Sequence, residues 1–311
     1  MQSGWLSLVA IRQSWSPGTG VSAPAAVFFK PPWVGGAGES AYGTCLAHLP
    51  KRMSRPFINR LGLPFRPVPG TGCRLAVWPV RVRDFAVFVE ATGHNGEGGM
   101  LTLGPDDHDW LPKGKTWRDP GFPQGDDHPV VGVNYHDAQA FCRWLTRTER
   151  AAGLIRAPLR YRLPSDREWS AAIGLGRERG GTPEARLHHS DGRYPWGPDW
   201  PPPAGFGNYA GAESKAGMPS WWGVVPGGYA DLFPRTSPVG SFPANSLGFF
   251  DMSGNVWEWC LDAYSRGLAR VTRGASWGSD RPAYLRSAQR NPLFPKTRND
   301  ELGFRLALAP R

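Results

Sequence analysis

Thiolates, imidazoles and carboxylates are the side chains that hold metals or attack carbonyls, so their spacing is the first thing to weigh in this 311-residue chain. The four cysteines, Cys45, Cys73, Cys142 and Cys260, stand singly. No Cys-x-x-Cys pair is there to hold zinc or run disulfide exchange, and no disulfide framework is indicated. Seven histidines include one close pair, His188-His189, set in a Gly/Arg loop where both read as solvent-facing. No His-x-x-x-His or His-x-Glu spacing falls on a helical stretch, so a non-haem iron site has no support. Tryptophan is the other chemistry on offer, with 15 in the chain. An indole can stack on a sugar ring, and Trp200, Trp221 and Trp222 are candidates; the Trp221-Trp222 pair, in a Gly/Pro/Ser context, reads as an exposed contact.

The elements that position such residues are short. The string from Leu63 to Thr71 reads as a strand ending in a turn, and Leu75 to Val82 as a second strand. Phe85, Phe88 and Val89 at i, i+3, i+4 spacing, closed by Gly93, predict a short amphipathic helix. A Gly-, Asp- and Pro-loaded loop follows from His94 to Pro129. The clearest helix opens at Asn134, with Asp137 at its third position as a reciprocal cap, and buries Ala138, Phe141, Cys142 and Leu145. Another opens at the capping box Ser165-x-x-Glu168, turns Trp169, Ala172 and Ile173 inward, and ends at Gly174. Beyond Gly174 there is no strong helical period, only short strands such as Arg270 to Arg273 and Gly303 to Leu308.

The 40 glycines and 32 prolines are too many for a helical protein, while the tryptophan content is too high for a disordered one. Residues 1–55 lack periodicity and read as a poorly ordered leader to a domain at 56–311. The 36 Lys plus Arg exceed the 26 Asp plus Glu, a formal charge of +10. The charges are scattered rather than gathered into a stripe interleaved with aromatics, which argues for a solvated surface and against nucleic acid. No run approaches the roughly 20 apolar residues that cross a bilayer, so no membrane partner is expected. The apolar stretch Leu6 to Ile11 has no basic region before it, which argues against a signal peptide and for a cytoplasmic protein.

Seven strings then carry a resemblance. They are Pro129 to Tyr135, Tyr161 to Trp169, Tyr194-Pro195-Trp196-Gly197, Pro238 to Phe242, Gly254-Asn255-Val256-Trp257-Glu258-Trp259, Arg273-Gly274-Ala275-Ser276-Trp277 and Leu302-Gly303-Phe304-Arg305. In this order, over roughly residues 57–308, the chain resembles the formylglycine-generating enzyme, or sulfatase-modifying factor, family. The resemblance implies an α+β, C-type-lectin-like fold with few short helices, short antiparallel strands and long ordered loops. Trp169, Trp257, Trp259 and Trp277 lie inside these strings and read as core.

It also implies two calcium sites. One would use the carboxylates of Asp251 and Glu258 and the carbonyls of Gly254 and Val256, an oxygen set that suits a hard cation. The other would use Asn208, the carbonyl of Tyr209, the carboxylate of Asp231 and the carbonyl of Phe233, on a thinner sequence signal. The competing reading is that Asp251 and Glu258 cap turns and pair with arginines.

Catalysis in this family needs a closely spaced cysteine pair after the Gly-x-Ser-Trp string to bind copper(I), which prefers soft thiolates. Here Ser279 stands where the first cysteine is expected, and neither Ala283 nor Tyr284 supplies the second. Copper is therefore not expected as a cofactor. Nor is iron, since the ergothioneine-forming branch of related enzymes holds it with histidines in an added domain that is not visible here. The expected function is a non-catalytic module binding a protein or small molecule, with no catalytic residue. Its recognition surface would draw on Trp277, Gly278, Ser279, Asp280, Arg281, Tyr284, Arg286, Asn291 and Phe294. This segment also resembles the variable region of retroelement-diversified bacterial proteins. The alternative is a metal-dependent oxidoreductase acting on a protein or small thiol, built on Ser279, Asp280, Tyr284 and Arg286.

Overall fold

A computed structural model describes residues 56–310; the expected leader, and Cys45 with it, lie outside the described residues. The architecture is α+β, as expected. In a five-stranded antiparallel sheet, β1 (Phe57–Ile58), β2 (Pro64–Pro67) and β3 (Arg74–Ala76) run as a meander. The last strand of the chain, β12 (Ala307–Ala309), pairs with β3 and with β6 (Arg160–Arg162). A four-stranded sheet orders β11 (Leu302–Phe304), β7 (Trp257–Ala263), β8 (Arg270–Arg273) and β9 (Asn291–Leu293). A three-stranded sheet joins β10 (Arg298–Asn299), β4 (Met100–Thr102) and β5 (Leu111–Pro112).

Among the described residues five α-helices accompany them: α1 (Val82–Thr92), α2 (Tyr135–Ala151), α3 (Asp166–Ala172), α4 (Pro183–His188) and α5 (Pro282–Leu285). Local caps explain where α2 and α3 begin and where α1 ends. Asn134 Oδ1 accepts the N–H groups of His136 and Asp137, and Asp137 answers by accepting the Asn134 N–H. Ser165 and Glu168 do the same for α3, and Gly93 closes α1 at φ 63°. Ala138, Phe141, Cys142 and Leu145 are buried in the main core, where Phe85, Phe88, Phe141 and Phe304 pack edge-on and stacked.

Some element boundaries differ from the sequence expectation. The second strand stops at Ala76 and Val82 already belongs to α1, while the string Gly303 to Leu308 is two strands broken at Arg305. Helix α4 places His188 at its last turn and leaves both histidines of the pair exposed. Strand β7 starts with four consecutive buried residues, so it carries no alternation by which to find it.

The break at Arg305 has a cause. Its guanidinium, fully buried, meets the equally buried Glu258 carboxylate of β7 with Nη2 at 2.7 Å and Nε at 2.9 Å. The other donors go to the carbonyls of Ala76, Val77, Phe250 and Asp251. Trp169 of α3 donates its indole N–H to the same carboxylate at 3.0 Å. One ion pair thus ties two sheets, a helix and the 250–251 turn. A second hub lies nearby, where Asp166 meets Arg186, Arg273 and Arg290. Burial opposes its charge, but Arg273 and Arg290, with Arg186, hold its carboxyl at about 2. Breaking a buried pair on one side leaves the other charge unpaired. Arg305→Met should therefore cost about 3–5 kcal/mol in denaturant unfolding, with Glu258→Gln added to it recovering part of the loss. If the single variant unfolds like the parent, the pair does not have this role.

Candidate functional site

The site begins at the turn after β8. Gly274 (φ 101°) and Ala275 (φ 62°) both take left-handed conformations, which turns the chain sharply and drives Trp277 into the core. There its backbone N–H donates to the Asn255 carbonyl and its indole N–H to the Asp300 carbonyl at 3.0 Å, and the Arg235 guanidinium sits 4.8 Å over the ring. Ser276 donates its hydroxyl to Glu301 at 2.5 Å and its backbone N–H to Ser279 Oγ at 3.1 Å. Ser279 is almost wholly buried, and its hydroxyl is engaged with Ser276.

Above this turn opens a cavity of about 290 Å³. Of the expected recognition residues, Gly278, Ser279, Asp280, Arg281, Tyr284 and Asn291 line it. The other three do not: Trp277 lies beneath the wall, Arg286 runs outward beside Gly192, and Phe294 is 67% exposed away from the cavity. The tryptophan pair is split in burial, Trp221 being half exposed and Trp222 buried, yet both line the cavity. Trp110, Gly223, Trp257, Leu293, Asn299 and Glu301 complete the wall and were not anticipated. Trp257 reads from sequence as core, and it is buried, but it also lines this space beside Tyr284, ring centroids 6.3 Å apart.

Two glycines let carboxylates approach the cavity floor. A Cβ at Gly278 would collide with the Glu301 carboxylate and with Trp222, and a Cβ at Gly223 would collide with that of Asp280. Burial pushes Glu301 up to about 7, against the Ser276 hydrogen bond and Arg235 and with Asp280 adding repulsion. Asp300 is raised in the same direction by burial and by Glu301, and its Oδ1 is buried without a hydrogen-bond partner.

The thiols are elsewhere. Cys73 and Cys260 sit in the hydrophobic cluster around Trp169, and Cys142 in the main core, all unbridged. Burial pushes Cys73 and Cys142 up to about 12 and Cys260 well above its ordinary value, which disfavours the thiolate.

The two oxygen sets differ in their fit to calcium. Asn208 Oδ1 is buried with no hydrogen-bond partner, while its Nδ2 donates to the Arg235 carbonyl. Asp231 accepts the N–H groups of Tyr209 and Phe233, yet burial still pushes it up to about 7, with the adjacent Glu213 carboxylate adding to the shift. Two neighbouring carboxylates, Asp231 buried and Glu213 half-buried, beside an orphaned amide oxygen suit a divalent cation. In the other set, burial pushes Asp251 up to about 6, but Glu258 already has Arg305 as its counter-charge. The set with the thinner sequence signal is thus the better fit.

Residues 43–310 match the sulfatase-modifying factor enzyme 1-like domain, and the chain belongs to that family. It is 30% identical over 277 residues to the inactive C-alpha-formylglycine-generating enzyme 2 of Mus musculus, covering 78% of this chain and 77% of that protein. It is 29% identical over 288 residues to the formylglycine-generating enzyme of the same organism, covering 78% and 68%. Among solved structures, PvdO from Pseudomonas aeruginosa aligns with a TM-score of 0.51 at 25% identity, covering 80% of this chain and 81% of that one. Enzyme and inactive relative are equally near, so overall identity does not separate the two fates and the site residues must.

The raised carboxyls set a pH dependence. Between the ordinary glutamate value of 4.5 and about 7, the folded chain holds a proton on Glu301 that the unfolded chain has lost. Stability should therefore fall as pH rises through that window, and Asp231 and Asp251 act in the same sense. Glu301→Gln should lessen the drop in thermal midpoint between about pH 5 and about pH 8. A drop as large as the parent's would contradict the assignment.

Proposed function

We propose that this chain is a non-catalytic binding module on a formylglycine-generating-enzyme scaffold, with the cavity above Ser279 as its ligand site. The observation that carries the reading is the state of Ser279. It stands where the resemblance calls for the first copper-binding cysteine, and its hydroxyl is engaged with Ser276. A hydroxyl does not replace a thiolate toward copper(I). Among the described residues every cysteine is buried outside the cavity lining, and no cluster of three His, Cys, Asp or Glu is placed to hold a metal. The oxidoreductase alternative would have to run on Ser279, Asp280 or Tyr284, because Arg286 is turned away. The ligand is a protein or small molecule in this reading. No described helix is long and apolar enough to cross a membrane.

Aerobic incubation with a Cys-x-Pro-x-Arg peptide and copper, read by mass spectrometry, should leave the peptide's cysteine unoxidised. Conversion to the aldehyde would overturn the proposal.

Calcium belongs to the same reading as a structural ion, held by Asn208, Asp231 and the carbonyls of Tyr209 and Phe233. It would supply the positive charge that the Asp231 and Glu213 carboxylates lack, and so order the loops behind the cavity. Calcium at about 100 times its dissociation constant should stabilise the fold by about 2.7 kcal/mol over chelator-treated protein. Asp231→Asn should abolish most of that response in a thermal-shift titration. An unchanged response in the variant would remove these residues from any calcium site.

A further inference from the structure

The cavity's wall chemistry narrows its ligand. Four tryptophans, Trp110, Trp221, Trp222 and Trp257, and Tyr284 give it aromatic surface on several sides. Two of the indole N–H groups are already used: Trp221 donates to the Asp107 carbonyl at 2.9 Å and Trp222 to Ser214 Oγ at 3.1 Å. These two rings therefore offer the cavity π-surface rather than donors, and an aromatic face is electron-rich.

The charges point the same way. Asp280 and Glu301 reach the cavity over Gly223 and Gly278, and Glu301 is more than nine-tenths buried. Asp300 lies next to Glu301 beneath the floor. Against these, Arg235 acts from behind Trp277, outside the cavity lining. The one basic side chain in the wall, Arg281, is 70% exposed and lies 3.5 Å from Asp280, so it stands at the mouth. With the carboxyls inside and Arg281 at the mouth, the interior excess is negative in a concave space, which concentrates positive charge.

Resting on the binding-module reading, we propose that this cavity takes an organic cation, an alkylammonium or quaternary ammonium group seated against the tryptophans with Asp280 and Glu301 as its counter-charges. A volume of about 290 Å³ accommodates such a head and a short stem. An anion would meet two carboxyls inside the cavity, with Arg281 at the mouth as the one basic side chain of the wall. A neutral sugar could stack on the same rings but would bring no positive charge to the Asp280 and Glu301 carboxyls.

The test is titration of the full chain with choline, n-butylammonium, the uncharged choline isostere 3,3-dimethylbutanol, and methyl glucoside, followed by tryptophan fluorescence and calorimetry. Saturable binding of at least one cation, about 10-fold tighter than the isostere, is expected. Trp221→Ala and Asp280→Asn should each weaken it by about 5–30-fold. Trp221 is 51% exposed, so its variant should keep the parent's thermal midpoint. Equal affinity for choline and its isostere, no saturable binding of either cation, or binding indifferent to both substitutions would overturn the proposal. Tighter binding of the glucoside, lost in Trp221→Ala, would overturn the cation class while leaving the binding module standing. Aldehyde formation on the cysteine peptide would instead overturn the module itself.

Discussion

The rest of the molecule depends on the buried pair between Arg305 and Glu258. Strands in this fold are two to seven residues long, too short for any one ladder to hold the layers together. A planar guanidinium with five donors can answer several carbonyls and a carboxylate at once, which no lysine could do. Arg305 uses that capacity to fix β3, β7, α3 and the 250–251 turn in one register. Desolvating both charges is costly, so the pair's value lies in specifying one arrangement of loops rather than in bulk stability.

That arrangement is what makes the cavity possible. Its wall comes from segments around residues 110, 222, 257, 280 and 300, and only fixed loops can hold aromatic rings and carboxylates from so many places in one space. The Asp166 hub does for the far end of β8 what Arg305 does for its neighbour, anchoring Arg273 and Arg290 on either side of the 274–289 segment. Between the two anchors the chain is free to present Gly278, Ser279 and Asp280, and the hydrogen bonds from Ser276 and Ala210 hold Ser279 in place.

A scaffold shared with an enzyme family need not keep its chemistry. A hydroxyl has little affinity for copper(I) where a thiolate would bind it, and in the proposed reading the backbone around Ser279 is kept by packing and buried ion pairs. Here the hydroxyl joins a Ser276–Glu301 network and the space above it is left aromatic and acidic. The raised carboxyls at Glu301 and Asp300 are the cost of building that floor in a low-dielectric interior.

What could be read from the residues in order was whatever a few neighbours decide. Asn134 with Asp137, Ser165 with Glu168, and Gly93 place helix ends because caps act within one turn. The missing cysteine pair is equally local, a matter of which residues follow Trp277. Long-range placement is another matter. Whether Glu258 faces a cation or Arg305, 47 positions away, depends on how β7 and β11 pair. That Trp110, Trp222 and Trp257 share a wall with Glu301 follows from how distant loops meet the start of β7, and Trp257 looks like any other core tryptophan until the partner loops are in place. Period and capping report on contacts within a turn; the cavity and its charge exist only where distant segments meet, and that was decided by tertiary packing.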